Sequence, residues 1–353
     1  MEIEPADTLP PMSVHDTAFV PYDGTPESAL EDTVLVARAA EQYGYRRLWV
    51  PEFHNVPMFA ASAPPVLMAH LAAATRHIRI GSGGILLTNH APLVVAEQFA
   101  VLRALHGDRI DLGLGRAPGA DSGSLFDQAL QRPEGIRSRF PELLDELLGF
   151  LHREWPPEHP YRALELSPRI TGAPSVHVLG ASADSAAWAA ERGLPFVFGC
   201  HLAGAPKGPA AAARYAERFV PGRDGGRPHF TVSVEVLCGE SDEEASALVL
   251  RTAEEFVRVH NRAVLDQLSA ARITELARQT IEAKTLVHGG PETVAARLAA
   301  LARTLRADEI MVMPYGVTGA GRSRTLRLLA RHQRQRSAAA GAYADAVTVR
   351  AGG

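Results

Sequence analysis

Short runs of β-branched and aliphatic residues alternate along the chain with longer amphipathic stretches, and this alternation predicts repeated strand–helix units. Met12–Val20 predicts the first strand. A helix is predicted from about Glu27, just after Thr25-Pro26, to Tyr43, with Gly44 suited to end it. Arg46–Pro51 (RRLWVP) predicts the second strand and Pro64–Thr75 the second helix. Ile78–Leu87 (IRIGSGGILL) is the third strand, followed by a helix over Pro92–Leu105 that opens on proline. Arg109–Leu114 is the fourth strand, and a long polar loop leads from it to a helix over Pro141–His152. Ser175–Leu179 and Leu194–Phe198 are the fifth and sixth strands, backed by helices over Asp184–Arg192 and Pro209–Phe219. Phe230–Leu237 is the seventh, before a long helix over Glu243–Leu268. Glu309–Met313 is the eighth, between helices over Pro291–Leu305 and Arg322–Gln333.

Eight strands with helices between them predict an α/β fold, a (β/α)8 TIM barrel formed as one domain by all 353 residues, with its core over about 12–333. Two segments exceed a minimal barrel. Pro118–Pro141 extends the loop after strand four, and Ala270–Gly290 lies between the long helix and the last strand–helix unit. Insertions of this kind shape or cover an active site, and Ala270–Gly290 is the predicted lid. The Ala/Gly-rich tail from Ser337 is expected to fray.

Composition narrows the partners. With 46% hydrophobic and 22% charged residues the chain can bury a large core. A net charge of −4 gives no electrostatic footprint for nucleic acid, so a small molecule is the expected partner. The acidic, Pro-rich start MEIEPADTLPPM has no basic or apolar leader pattern, and no run approaches the ~18 apolar residues that span a bilayer. The two cysteines, Cys200 and Cys238, read as unlinked thiols of a cytoplasmic chain. Lys207 and Lys284 are the only lysines, and neither falls at a predicted strand end, which argues against Schiff-base chemistry.

In such a barrel reactive groups sit just past the C-terminal ends of the strands. The unusual residues fall there repeatedly: Glu52-Phe53-His54-Asn55 after strand two, Asn89-His90 after strand three, Arg116 after strand four, Ser182 to Ser185 after strand five, and Cys200-His201 after strand six. Gly83-Gly84 inside strand three needs a reason, either a tight barrel corner or a flat ligand against bare backbone. Arg116 reads either as a surface arginine or as a bidentate anion ligand. Ser182 and Ser185 open the fifth helix, where hydroxyls and free N–H groups make either an ordinary cap or an anion site; Asp184 must then point away. Glu52 and His54 are candidates for acid–base work, since no third ligand of fitting spacing supports a metal. The spacing GxGxxxG over Gly113–Gly119, with Pro118, fails as a dinucleotide fingerprint.

The stretches GYRRLWVPEFHN, SAPPVLMAHLAAATRHIRIGSGGILLTNHAPLVVAEQFAVLRALHGDRIDLGLGRAPGAD and VLGASADSAAWAAERGLPFVFG resemble the bacterial luciferase-like flavin-dependent monooxygenases, and GGPETVAARLAALARTLRADEIMVMPY resembles their last strand–helix unit. The resemblance covers about Met12 to Ala330. It implies reduced FMN and O2 as cofactors, a separate flavin reductase, a homodimer, and oxygenation of an organic substrate such as an aromatic or polyketide metabolite. Deazaflavin-dependent hydride transfer and flavin binding without catalysis are the alternatives. By the same resemblance Gly83-Gly84 lies beneath the isoalloxazine, often as a cis peptide, and Arg116, Ser182 and Ser185 hold the phosphate. One departure stands out. Where the family commonly has Glu-His-His, this chain has Glu52-Phe53-His54, so the first histidine is absent and light-emitting aldehyde chemistry is not expected. Phe53 is instead suited to pack on a ring. The luciferases' reactive cysteine corresponds to Gly115.

Overall fold

Parallel strands close into a ring because each strand–helix unit returns the chain to the same edge of the sheet. The computed structural model describes residues 9–116, 124–222 and 226–351. Its elements run β1 (Met12–His15), α1 (Pro26–Tyr43), β2 (Arg47–Val50), α2 (Pro64–Ala74), β3 (Arg79–Ser82), β4 (Ile85–Leu86), α3 (Pro92–His106) and β5 (Ile110–Gly115). There follow α4 (Ser124–Ala129), α5 (Phe140–His152), β6 (Ser175–Gly180), α6 (Ala183–Glu191), β7 (Phe196–Gly199), α7 (Cys200–Ala203), α8 (Gly208–Arg218) and β8 (Phe230–Cys238). The chain ends with α9 (Asp242–His260), α10 (Ala270–Ala283), β9 (Leu286–Gly289), α11 (Pro291–Leu305), β10 (Glu309–Pro314) and α12 (Gly319–Ala351). In the order β1-β2-β3-β5-β6-β7-β8-β10 eight strands pair in parallel, and β10 pairs back to β1, so the barrel is closed. Local chemistry agrees with the periodicity: Thr25 and Ser28 form a reciprocal cap at the start of α1, and Gly44 ends it at φ 83°.

Several expectations needed correcting. The first strand stops at His15 rather than Val20. The third breaks into β3 and β4 around a cis Gly83-Gly84 peptide. At the break the Ser82 hydroxyl replaces the ladder, donating to the Gly113 carbonyl (2.8 Å) and accepting from the Gly113 N–H (3.0 Å). Ala270–Gly290 is only partly an excursion, because β9 pairs with β8 along the edge that β7 leaves open beyond Ser233. α12 runs on through Ser337 to Ala351. Ala117-Pro118-Gly119 lie outside the described residues.

The barrel interior is layered. Trp49, Val197 and Met311 pack with Leu179 across the middle, and Gly81 leaves room for the Trp49 indole, since a Cβ there would sit 2.3 Å from its Nε1. Below them, toward the N-terminal ends of the strands, the interior is charged. Asp111 accepts from Arg47 (2.8 Å), Arg79 (2.6 Å) and the Trp49 indole (3.1 Å), while Glu309 accepts from Arg47, Arg46, His229 and Ser13. His177 sits 3.2 Å from Arg47 Nη1 in the same layer.

This layer and the buried His15 make the fold acid-sensitive. Burial pushes His15 down to about 4 and His177 down to about 3, so the unfolded chain takes up protons below the ordinary value of 6.5 that the native state refuses. Burial raises Glu309, but the His229 hydrogen bond and the Arg47 charge outweigh it and hold the group at about 2. Its contribution is therefore present above its ordinary value of 4.5 and lost as pH falls toward 2. Urea midpoints are expected to fall steadily from pH 6.5 downward and faster below 4.5; a flat midpoint between pH 6.5 and 4 would refute the histidine assignment.

Candidate functional site

A cavity of about 810 Å³ opens at the C-terminal ends of the strands, the size of a pocket for a cofactor-sized ligand. Gly83 and Gly84 line its floor. A Cβ at Gly83 would lie 2.9 Å from His15 Nε2, and one at Gly84 would lie 2.8 Å from the Gly113 carbonyl oxygen. Tight packing within the barrel is thus reason enough for the pair, and the bare backbone it leaves faces the cavity as well.

On one wall the start of α6 and the end of β5 meet. Ser182 caps α6 and Ser185 caps it reciprocally: Ser182 Oγ accepts from the Ser185 N–H at 3.3 Å, and Ser185 Oγ from the Ser182 N–H at 3.3 Å. The ordinary cap is therefore present. It still leaves the Ala183 and Asp184 N–H groups of the first turn for an anion, beside two hydroxyls 3.1 Å apart. Asp184 is exposed and does not line the cavity. Gly180 lets this turn close in, because a Cβ there would lie 2.1 Å from Ser185 Oγ. The Arg116 guanidinium lies 5.0 Å from the Trp188 ring, one turn further along α6, with no acidic partner among the described residues. Arg116, Ser182 and Ser185 all line the cavity. A guanidinium, two hydroxyls and free helix N–H groups form a donor set suited to a phosphate.

Glu52 follows β2 on the adjoining wall. It is 3% exposed, and its Oε1 accepts from His54 (2.7 Å), His90 (2.8 Å) and Asn89 (3.3 Å), while Oε2 accepts from the Leu86 N–H (3.0 Å). Burial raises this carboxyl, but the two histidine hydrogen bonds outweigh it and hold it at about 2. Glu52 is thus a fixed, ionised acceptor at neutral pH rather than an acid. His54 lies behind it, its ring 5.9 Å from Phe126, and does not line the cavity. Phe53 does line it, stacked on Phe59 with ring centroids 4.4 Å apart.

The structure adds residues that the sequence reading passed over. His15 from β1, His201 from α7, Ser233 and Glu235 from β8, and Lys284 after α10 all reach the cavity. Lys284 Nζ donates to both Glu235 oxygens, at 2.6 and 2.9 Å, and lies over the Phe256 and Tyr315 rings. His201 belongs to a dipeptide already noted past strand six. The others carried no local signal, since nothing along the chain marks a serine or glutamate inside a strand as facing the mouth. Lys284 is not at a strand end, yet it reaches the site because β9 anchors the residues after it to β8.

Comparison with known proteins accords with this geometry. A family model described as luciferase-like monooxygenase matches residues 12–308. The N-acetyl-S-alkylcysteine monooxygenase of Bacillus subtilis is 33% identical over 308 residues, 85% of this chain and 91% of that protein. The crystal structure of apo-MsnO8 superposes with a TM-score of 0.78 at 31% identity, covering 93% of this chain and 98% of the other. The oxygenating constituent of 3,6-diketocamphane monooxygenase from Pseudomonas putida, solved with FMN, shares the fold at a TM-score of 0.70 and 17% identity, over 92% and 97% of the two chains. Since the matched region takes in seven of the eight strands of the closed ring and the whole rim from Glu52 to Lys284, the chain belongs to the luciferase-like monooxygenase family.

Proposed function

We propose that the chain is the oxygenating component of a flavin-dependent monooxygenase that uses reduced FMN and O2 to oxygenate an organic substrate. The observation that carries this reading is the donor set of Arg116, Ser182 and Ser185, lining the same cavity as the bare Gly83-Gly84 backbone. Phosphate would be held by these three residues and the α6 N–H groups, and the ring would lie over the glycine pair; the FMN bound in the diketocamphane enzyme, on the same fold, supports this choice of flavin. Bound and reduced, FMN supplies the electrons that activate O2 and let one oxygen atom pass to the substrate. Electrons would come from a separate reductase.

The chain's own residues have three tasks. Glu52, ionised and fixed by His54 and His90, presents an acceptor that orients an N–H or O–H in the cavity, with His54 acting as a positioning residue. Phe53, Phe59 and Phe256 give an apolar wall that excludes water. Leu276, Thr280 and Lys284 bring α10 and the turn after it over the mouth, where the Lys284–Glu235 pair ties them to β8.

Incubation with chemically reduced FMN, 18O2 and a panel of aromatic, ketone and thioether compounds is expected to give a product carrying one labelled oxygen. Flavin oxidation with no labelled product across the panel would favour flavin binding without oxygenation, and a preference for a deazaflavin in titrations would favour hydride transfer. Lys284→Met removes the tie across the mouth, and hydrogen peroxide released per reduced FMN consumed is expected to rise several-fold. Unchanged coupling would remove the lid role from this segment.

A further inference from the structure

Three residues that line the cavity each carry a buried polar atom with no hydrogen-bond partner among the described residues: His15 Nε2, His201 Nδ1 and Ser233 Oγ. His15 is 4% exposed and Ser233 2%. The two imidazoles lie edge to face, with ring centroids 6.3 Å apart. Ring closure brings these residues together. In the barrel order β7, β8 and β1 are separated only by β10, while β6, which carries the Ser182 cap, stands four places from β1 in a ring of eight. His15 thus lies across the ring from the Ser182 cap, and Ser233 and His201 continue the row back toward it along β8 and β7. Buried polar atoms are nearly always paired in native proteins, so three on one cavity wall point to a ligand that meets them.

Chemistry defines what that ligand offers. A Gly83 Cβ would lie 2.9 Å from His15 Nε2, so that nitrogen sits against the bare Gly83 backbone at the cavity floor. Burial keeps both rings neutral, pushing His15 to about 4 and His201 to about 3. A neutral ring offers one N–H and one lone pair, so each unpartnered nitrogen can be met by a group that both donates and accepts. The Ser233 hydroxyl beside them both donates and accepts. The nearest charges cancel, because Lys284 gives two hydrogen bonds to Glu235. An uncharged polar row beside the rings of Phe256, Phe53 and Phe59 suits a hydroxyl or amide on an aromatic body.

We propose that His15, His201 and Ser233 form a substrate subsite that selects a neutral hydroxyl or amide N–H carried on an apolar, aromatic molecule and turns carboxylates away. This names the substrate class of the monooxygenase reading and rests on it. A matched carboxylate would be buried with no free cation beside it among the described residues, since Lys284 is tied to Glu235, and a methyl ether would bring no donor to the row.

Calorimetric titration with 2-naphthol, 2-methoxynaphthalene and 2-naphthoate tests the subsite directly. Wild-type protein is expected to bind 2-naphthol about 10- to 100-fold tighter than either analogue. Ser233→Ala and His201→Phe should each remove most of that preference while leaving the FMN dissociation constant within about twofold; Ser233→Ala keeps the test available if His201→Phe does not fold. Equal binding of 2-naphthol and its methyl ether would overturn the proposal. So would variants that weaken FMN as much as 2-naphthol, since the row would then belong to the flavin. Protein that ignores FMN but keeps the 2-naphthol preference would sustain the subsite and sink the flavin reading instead.

Discussion

Arg116→Ala is expected to weaken FMN binding by about 10- to 100-fold, and to leave riboflavin binding unchanged. A hydrogen bond to a charged group contributes about 1.5–3 kcal/mol, and each 1.4 kcal/mol is tenfold in affinity. Arg116 lies at the exposed edge of the cavity, so the lower part of that range is the better guide. Its guanidinium lies over Trp188 with no acidic partner among the described residues, so removing it should free no buried anion and cost little stability. Arg116→Lys keeps the charge but loses the planar fork and the stacking, and should fall between wild type and alanine. Riboflavin carries the same ring without a phosphate, which separates anchoring of the tail from any effect on the ring. Should Arg116→Ala weaken riboflavin and FMN equally, the phosphate does not sit there. Gly180→Ala tests the same cradle from below: a Cβ 2.1 Å from Ser185 Oγ must displace the cap, and FMN affinity should drop with it.

Asp111→Ala has the largest expected effect on stability, about 3–5 kcal/mol. Asp111 is fully buried and receives Arg47, Arg79 and the Trp49 indole. Arg47 keeps Glu309, but Arg79 and the indole lose their only side-chain acceptor among the described residues. A buried charge left without its partner costs far more than the intact pair contributes. Asp111→Asn keeps the shape and an acceptor oxygen and should cost less. Urea unfolding with the two variants side by side decides the point. A loss under about 1 kcal/mol for alanine would mean that water or a shifted Glu309 takes over.

Much of the barrel was legible in the chain because its causes are local. Strand and helix periods, the Thr25 cap, Gly44 and the prolines that open α2, α3 and α11 depend on neighbours within a turn or two. Rim positions followed from the strand ends, which is why Glu52, Arg116, Ser182, Ser185 and the glycine pair could be named and do line one cavity. The expectation of a flavin came from the resemblance; periodicity alone had left cap and anion site undecided at Ser182.

What the chain did not disclose depends on closure. Arg47, Asp111, His177 and Glu309 look like ordinary polar positions of half-exposed strands, yet they meet inside the ring and compensate one another. His15 and Ser233 are more than two hundred residues apart in sequence, and Lys284 follows a helix rather than a strand. Their convergence on one wall required β10 to pair with both β1 and β8, and β9 to occupy the edge β7 leaves free. Local sequence thus determined the repeating unit and the residues at its ends, because capping, periodicity and turn chemistry act over a few residues. Only the closed ring decided which interior side chains face one another, since inward direction and cross-barrel distance are properties of the whole sheet.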